Sequence, residues 1–514
     1  VAPGFRKHHL LHCQGYILPA DLFFYHMFRN FALNKKTMDR ADKKRTKIVA
    51  TISDLNCEAP FIRQLYEEGM DVVRLNTAHQ ERGATMKVVE NVRKASYRIA
   101  LLLDTKGPEI RTLPGATLPL EVKEGDLLTV CDKGSSSGSE KAFEVSYNHF
   151  SEEIPDKENI SILIDDGDLE LLIERKEKHS LVCRAQSSGT IKAKKSVNVP
   201  GVRFALPSIS EKDKDYIHFA IENNLDFIAH SFVRDKEDVL AIQKILDEHD
   251  SPIKIIAKIE NREGVENIEE ILEVAYGIMV ARGDLAIEIP YAKIPGIQKE
   301  LINKCILKRK PVIVATQMLH SMIENPRPTR AEVADVASAI YSQTDAVMLS
   351  GETAYGKYPK ESVKTMANIA MEVEKSKEPY HESPMVVLSS EVSAYLSKSA
   401  VKASVRLNAA ALVADSYSGR TIRNIGAFRN SVPVFAMCYD ERLVRELALT
   451  YGINPWYMSR CNNSTEFIRK SVKEILKGNH VNDEDTLVIV AGNFGQQHGA
   501  SFMEISTTNN FKNY

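Results

Sequence analysis

The chain has 514 residues, 43% hydrophobic and 26% charged, enough to bury large cores and to divide into several domains. Lys and Arg total 67 against 69 Asp and Glu, a formal charge of -2, and this balance excludes a basic footprint for nucleic acid or an anionic membrane surface. Seven cysteines, at 13, 57, 131, 183, 305, 438 and 461, are odd in number and form no C-x-x-C, the usage of a reducing, cytoplasmic setting rather than a disulfide framework. No apolar run reaches the roughly 18 to 20 residues that span a bilayer.

Residues 1–38 read as a poorly structured N-terminal extension. Their apolar, aromatic patch "GYILPADLFFYHMF" is interrupted by Pro19 and Asp21 and makes a poor signal peptide. An upstream start assignment or a fragment boundary is the expectation here, with an organelle-targeting leader as the alternative.

Further on, short β-rich runs alternate with amphipathic helical patterns. The runs are "KIVATI" (47–52), "VVRLN" (72–76), "IALLLD" (99–104), "FIAHSFV" (227–233), "KIIAKIE" (254–260), "GIMVAR" (277–282), "VIVAT" (312–316) and "AVMLSGE" (346–352). Helical segments between them include "PFIRQLYEEG", "ATMKVVENVRKAS", "GVENIEEILEVA" and "TRAEVADVASAIYSQ", the last opening after Pro328 with Thr329 as its cap. Eight strand–helix units predict an α/β chain built on a (β/α)8 TIM barrel, over 39–106 and 202–382. Residues 107–201, rich in short strands and turns ("DKGSSSGSEK", "IDDGDLE", "SVNVPG"), predict a small all-β domain inserted in a βα loop. Over 383–514 the alternation resumes with "AAALVA", "VPVFAMC" and "TLVIVAG", separated by "DERLVRELALTY" and "STEFIRKSVKEILKG". That predicts a C-terminal open α/β domain.

Active sites of such barrels sit at the carboxyl ends of the strands. Those ends carry Arg74 and Asn76, Asp104, Ser231, Lys258 and Glu260, Arg282 and Asp284, Thr316 and Gln317, and Ser350 with Glu352. Lys258 and Glu260 are two apart, so a strand turns both to one face. One such pair is usually a solvated salt bridge; a ring contributed by most strands is not. Glu260 and Asp284 offer the hard oxygens that Mg²⁺ or Mn²⁺ prefers, Arg74 a planar fork for phosphoryl oxygens, and Lys258 a compact charge. In "ARGDLA" (281–286) Gly283 would let backbone N–H groups approach a small anion; a turn with an N-capping Asp is the plainer reading. The phosphate-loop, dinucleotide, zinc-hydrolase and serine-elbow signatures are absent from the sequence.

In order along the chain from about residue 43, "DTKGPEIRT" (104–112), "KIENREG" (258–264), "ARGDL" (281–285), "ATQMLHSMIENPRPTRAEVADVA" (315–337) and "MLSGETAYGKYP" (348–359) resemble the motifs of the pyruvate kinase family. The resemblance implies phosphoryl transfer from phosphoenolpyruvate to ADP, giving ATP and pyruvate in glycolysis. It implies a barrel with an inserted β lid and a C-terminal regulatory domain. Glu260 and Asp284 would hold Mg²⁺ or Mn²⁺, and Lys258 would stabilise the transferring phosphoryl group. Arg74 and Ser231 would hold the phosphate, while the backbone at Gly283 and Asp284, with Thr316, would receive the carboxylate. Thr316 through water, rather than Lys258, would protonate the enolate. Arg111 would assist the phosphate or nucleotide side, Lys195 would reach the nucleotide from the lid, and His79 goes with nucleotide binding. Asn76, Asp104 and the Thr105 carbonyl would hold K⁺, whose use Glu109 favours.

The resemblance also implies a homotetramer. At "SYSGRT" it implies a phosphate site for a sugar-phosphate effector, made from Ser416, Ser418, Gly419, Arg420 and Thr421; a turn capping "TIRNIGAFR" is the plainer reading. The later "FGQQHGASF" loop lacks the arginine or tryptophan that fructose bisphosphate binders often place there. Three departures stand out. Ala78 replaces a serine whose hydroxyl helps hold K⁺, Ser53 and Asp54 alter a loop near the nucleotide base, and Ala286 replaces a common glycine and is expected to narrow the carboxylate pocket by one methyl. The rivals are a metal-dependent lyase or aldolase acting on pyruvate-type substrates, and a non-catalytic relative. The intact "KIEN" and "DTKGPEIRT" motifs and Lys195 weigh against the first; the filled catalytic positions weigh against the second.

Overall fold

The computed structural model describes residues 44–78, 80–135, 138–376, 392–492 and 499–514. The extension expected over 1–38 and the nucleotide residue His79 lie outside them, as does most of the "FGQQHGASF" loop. The first three strands are β1 (Lys47–Thr51), β2 (Val72–Asn76) and β3 (Ala100–Asp104). An insertion follows, with β4 (Leu120–Val122), β5 (Leu127–Cys131), β6 (Ala142–Glu144), β7 (Ser161–Ile164), β8 (Leu169–Glu177), β9 (Ser180–Ala185), β10 (Gly189–Ile191) and β11 (Val197–Asn198). The series then resumes with β12 (Phe227–His230), β13 (Lys254–Ile259), β14 (Gly277–Ala281), β15 (Val312–Ala315) and β16 (Ala346–Leu349). β1 to β3 and β12 to β16 close into a parallel barrel in the order β1-β16-β15-β14-β13-β12-β3-β2.

The period of two divides each barrel strand between two cores. Val49, Val72, Leu102, Phe227, Ile256, Met279, Ile313 and Met348 fill the interior, while their neighbours, such as Ile48, Val73, Leu101, Ile255, Val280 and Val347, pack under the outer helices. Helix starts follow local capping chemistry: Thr329 and Glu332 form the capping box of Arg330–Tyr341. The segment "GVENIEEILEVA" is two short helices, Arg262–Glu266 and Ile268–Val274, rather than one. They part at Asn267, whose side chain donates to the Arg234 carbonyl at 2.9 Å.

The insertion is all-β apart from one helical turn, Phe150–Glu153, and holds a two-stranded and a six-stranded sheet over its own apolar core. The C-terminal sheet has five strands: β17 (Ala411–Ser416), β18 (Val434–Cys438), β19 (Ile453–Tyr457), β20 (Thr486–Ala491) and β21 (Phe502–Thr507), in the order β19-β18-β17-β20-β21. β21 is antiparallel and forms one edge. The helix expected over "DERLVRELALTY" ends at Glu446 and continues as a 3-10 turn, Leu447–Leu449.

That turn has a structural task. Ala448 and Leu449 join the barrel's interior core, so the C-terminal domain supplies the floor of the barrel. A buried bidentate pair fixes the junction: Arg429 Nη1 and Nη2 meet Asp345 Oδ1 and Oδ2 at 2.8 and 2.7 Å, and the Tyr451 N–H donates to the same Asp345 at 3.0 Å. The six described cysteines are all buried. No helix among the described residues is long and apolar enough to cross a membrane.

Candidate active site

Two residues beyond the apolar interior layer, the same strand faces carry Thr51, Arg74, Asp104, Ser231 and Lys258. Period-two alternation thus stacks a polar layer on the apolar one, at the carboxyl mouth. Lys258 is its centre. Its Nζ lies 3.0 Å from Asp104 Oδ1 and 3.0 Å from Glu260 Oε1, and donates to Ser231 Oγ at 2.8 Å. Asp104 Oδ2 meets Arg74 Nε at 2.5 Å, and Arg74 Nη1 donates to Thr51 Oγ1 at 3.0 Å.

Burial opposes the ammonium of Lys258, but Asp104 and Glu260 outweigh it and hold its pKa above the ordinary lysine value. Burial likewise works against the Asp104 carboxylate, and there Arg74 and Lys258 win and keep the pKa low. Glu260 is different: burial pushes its carboxyl up to about 7, with Lys258 opposing and Asp284 adding to the rise. Asp284 is also raised, chiefly by burial, with the lid's Asp166 and Glu109 contributing.

Two carboxylates raised by a dry site, Glu260 also by the charge of Asp284, form a pair that a divalent cation would relieve. Among the described residues no group of three or more His, Cys, Asp or Glu could hold a metal. A two-carboxylate site suits Mg²⁺, which keeps waters and takes further oxygens from a phosphorylated substrate. The donors expected for K⁺ lie at neighbouring strand ends. Asn76 and Asp104 face each other in strand register, and the Thr105 carbonyl accepts the Ser231 hydroxyl at 2.7 Å. All are oxygens, as that ion requires, though each already has a partner: Asn76 Oδ1 accepts from the Ala78 N–H at 3.1 Å.

Glu260 follows β13 directly, and its Oε2 accepts the Phe232 N–H at 2.7 Å. The next residues of the motif explain themselves locally. Asn261 caps the helix Arg262–Glu266 by accepting from the Gly264 N–H at 2.7 Å. A Cβ on Gly264 would lie 2.5 Å from the Val233 carbonyl, so only glycine fits. At Gly107, with φ +72°, a Cβ would come within 2.8 Å of Ser231 Cβ.

Strand alternation does not account for Thr316. It and Gln317 take left-handed backbone, φ +71° and +51°, which turns Thr316 Oγ1 to accept the Gly283 N–H at 2.9 Å. "ARGDL" is correspondingly a helix, Arg282–Glu288, capped at Ala281, rather than a turn capped by Asp284. Arg282 donates to Asp335, at 2.7 Å, and to the Thr316 carbonyl, at 2.7 Å.

A cleft of about 720 Å³ separates the mouth from the inserted domain, with Phe232, Glu260 and Asp284 on one side and Arg111, Asp165 and Lys195 on the other. Lys195 is tied within the insertion to Asp165, at 2.7 Å, and Arg111 to Glu109, at 2.7 Å, and to the Lys194 carbonyl, at 2.6 Å. Neither partner was foreseen from the sequence. Asp165, Asp166 and Gly167 form a run of three left-handed residues, braced by the Ser196 hydroxyl on Asp166 at 2.8 Å. Of the departures, Ser53 donates to the Ala354 carbonyl at 2.5 Å. Ala286 is exposed and does not line this cleft.

Away from the mouth, Ser416 Oγ accepts the Gly419 N–H at 3.0 Å, and Gly419 is left-handed at φ +77°, opening the helix Arg420–Ala427. Thr421 is buried against Ser393, 3.1 Å between hydroxyls. Ser418 and Arg420 stand exposed at the rim.

A buried ammonium and a guanidinium for phosphoryl oxygens, with two carboxylates beside them on a (β/α)8 mouth, define the class as a barrel phosphotransferase. The chain belongs to the pyruvate kinase family: residues 43–363 match the model of the pyruvate kinase barrel domain and residues 395–506 that of the pyruvate kinase alpha/beta domain. It is similar to a pyruvate kinase of Borreliella burgdorferi, 47% identical over 472 residues that cover 90% of this chain and 97% of the relative. A pyruvate kinase of Bacillus licheniformis is 42% identical over 476 residues, 90% of this chain and 80% of the relative. Among solved structures, a pyruvate kinase from Cryptosporidium parvum superposes with a TM-score of 0.85 at 33% identity, covering 92% of this chain and 97% of that one.

Proposed function

We propose that the barrel mouth transfers the phosphoryl group of phosphoenolpyruvate to ADP, and that the residues named above carry the reaction. The observation that carries this reading is the Lys258 ammonium, held charged and buried between Asp104 and Glu260 beside Ser231. Arg74 and Ser231 hold the substrate phosphate, and Lys258 meets the charge that builds on the transferring group. Glu260 and Asp284 would hold Mg²⁺ or Mn²⁺, which would supply positive charge against the transferring group. The backbone at Gly283 and Asp284, with Thr316, takes the carboxylate. The Thr316 hydroxyl, which accepts the Gly283 N–H, serves the protonation of the enolate through water. Arg111, Lys195 and His79 serve the nucleotide, and closure of the inserted domain over the cleft excludes water.

The reading extends to K⁺ at Asn76, Asp104 and Thr105, and to a sugar phosphate at Ser416, Ser418, Gly419, Arg420 and Thr421. It extends also to a cytoplasmic homotetramer, supported by the free edge of β21 and by exposed Tyr395 and Leu407. The division into a barrel over 39–106 and 202–382, a lid over 107–201 and a C-terminal domain over 383–514 is supported by β4 to β11 falling inside 107–201.

The test is ATP formation from phosphoenolpyruvate and ADP with Mg²⁺, with and without K⁺, in the native chain and in Lys258→Met. Activity falls about a thousandfold or more in the variant. A variant that keeps near-native activity, or a native chain that cleaves phosphoenolpyruvate without ADP, refutes the assignment.

A further inference from the structure

The inserted domain leaves the barrel after β3 and returns through residues 199–210, a stretch without helix or strand between β11 and the helix Glu211–Glu222. The middle of this return linker is gripped from both sides. Towards the insertion, the Phe204 ring stacks on Phe150 at 5.2 Å, and the Ala205 N–H donates to Glu153 Oε2 at 2.8 Å. Towards the barrel, Arg234 Nη1 donates to the Phe204 and Leu206 carbonyls at 3.4 and 3.3 Å, and Nη2 to the Leu206 carbonyl at 3.3 Å.

Arg234 is itself anchored. Its Nε and Nη2 donate to Asp238 Oδ2 and Oδ1, both at 3.0 Å, and its backbone N–H donates to the same carboxylate at 3.0 Å. A guanidinium carries five N–H groups in a rigid fork. Two bonds to Asp238 and three to the linker engage all of them, so Arg234 holds protein rather than substrate although it lines the cleft. The segment that presents it also builds the mouth. Ser231 accepts from Lys258 at 2.8 Å; Phe232, left-handed at φ +55°, gives its N–H to Glu260 at 2.7 Å; and the Val233 carbonyl accepts from Asn261 at 3.3 Å. Consecutive residues thus attach to the ammonium of the site, to its carboxylate, and to the linker of the inserted domain.

We propose that Arg234 is a positioning residue for the nucleotide half of the reaction: it ties the return linker to the segment carrying Ser231 and Phe232, and so sets where Lys195 and Arg111 of the inserted domain stand over the mouth. The inference rests on the phosphoryl-transfer reading above. Placement of this kind matters, because a misplacement of about 1 Å can cost about a hundredfold in rate. The phosphoenolpyruvate end of the site is built on barrel strands and does not hang on the linker, so loss of the tie acts on one substrate and spares the other.

Arg234→Lys in the full chain is the test, since it keeps a charge for Asp238 while a single ammonium cannot span that carboxylate and two carbonyls. The expected result is a fall of about tenfold in kcat/KM for ADP, with binding of phosphoenolpyruvate and Mg²⁺, measured by equilibrium dialysis without ADP, within about twofold of native. In a Lys195→Met background the same substitution costs about threefold at most, because the group it aims is already gone. Trypsin reads the linker independently of activity: cleavage after the exposed Arg203 accelerates about tenfold in Arg234→Lys, and cleavage within the barrel does not. The proposal is overturned by a native kcat/KM for ADP, by an equal loss of phosphoenolpyruvate binding, by costs that multiply in the double variant, or by unchanged cleavage after Arg203. A native chain that forms no ATP refutes the functional reading instead, and the cleavage rates then decide whether Arg234 holds the linker.

Discussion

His230 ends β12, one residue before Ser231, and is 1% exposed with neither ring nitrogen hydrogen-bonded among the described residues. Burial holds its pKa down at about 4, against the upward pull of Asp238 and Asp213. An unfolded histidine titrates near ~6.5, so between the two values the unfolded chain takes a proton that the native one refuses. Native stability is therefore unaffected by this group above about pH 6.5 and erodes as pH falls, by roughly 1.4 kcal/mol per unit, until the native pKa is reached. At pH 5 the loss relative to pH 8 is about 2 kcal/mol. His230→Leu, close in volume, removes the proton site and the two unpartnered nitrogens together. Urea midpoints of both proteins at pH 8 and pH 5 measure the difference: the native chain loses about 2 kcal/mol more on acidification than the variant. The same acid sensitivity in both would show that His230 is not held neutral, and the reasoning would fail.

Leu449→Ala opens the floor of the barrel and costs about 2 to 5 kcal/mol in denaturant unfolding; a cost near zero would mean that the C-terminal domain does not seal the barrel. Gly264→Ala drives a methyl onto the Val233 carbonyl and displaces the segment that aims Glu260. Stability falls by about 1 to 3 kcal/mol and the Mg²⁺ concentration for half-maximal activity rises, whereas an unchanged metal requirement would separate Gly264 from the site. Lys195→Met raises KM for ADP about tenfold while leaving KM for phosphoenolpyruvate in place; equal effects on both would remove Lys195 from the nucleotide side.

Legibility of the fold depended on how much each residue's place is set by its neighbours in sequence. All eight barrel strands could be read because each is an apolar run of four to six residues, and Lys258 with Glu260 could be read because a strand's alternation fixes their direction. β19 was missed: "INPWY" carries Asn454 and Pro455, residues that argue against a strand, and it survives as the edge partner of β18. β21 was missed because it is partly exposed and lacks an apolar run. In the site, Thr316 owes its position to two left-handed residues that the sequence does not advertise, and the partner of Lys195 lies 30 residues away across a turn. Both are tertiary facts. The neutral state of His230 depends chiefly on burial, with Lys258 and Arg234 adding to it, and so has no local signature.

The floor supplied by Ala448 and Leu449 has a consequence for the history of the chain. An appended module can ordinarily be gained, lost or exchanged without disturbing its host. Here two residues of the second unit belong to the interior core of the first, and Arg429 and Asp345 lock the units together. A barrel cut free would present water with an open apolar well, so the companion domain cannot be shed unless some other segment first learns to cork it. In this chain the second part is therefore retained for the barrel's own stability, whether or not it keeps a ligand of its own.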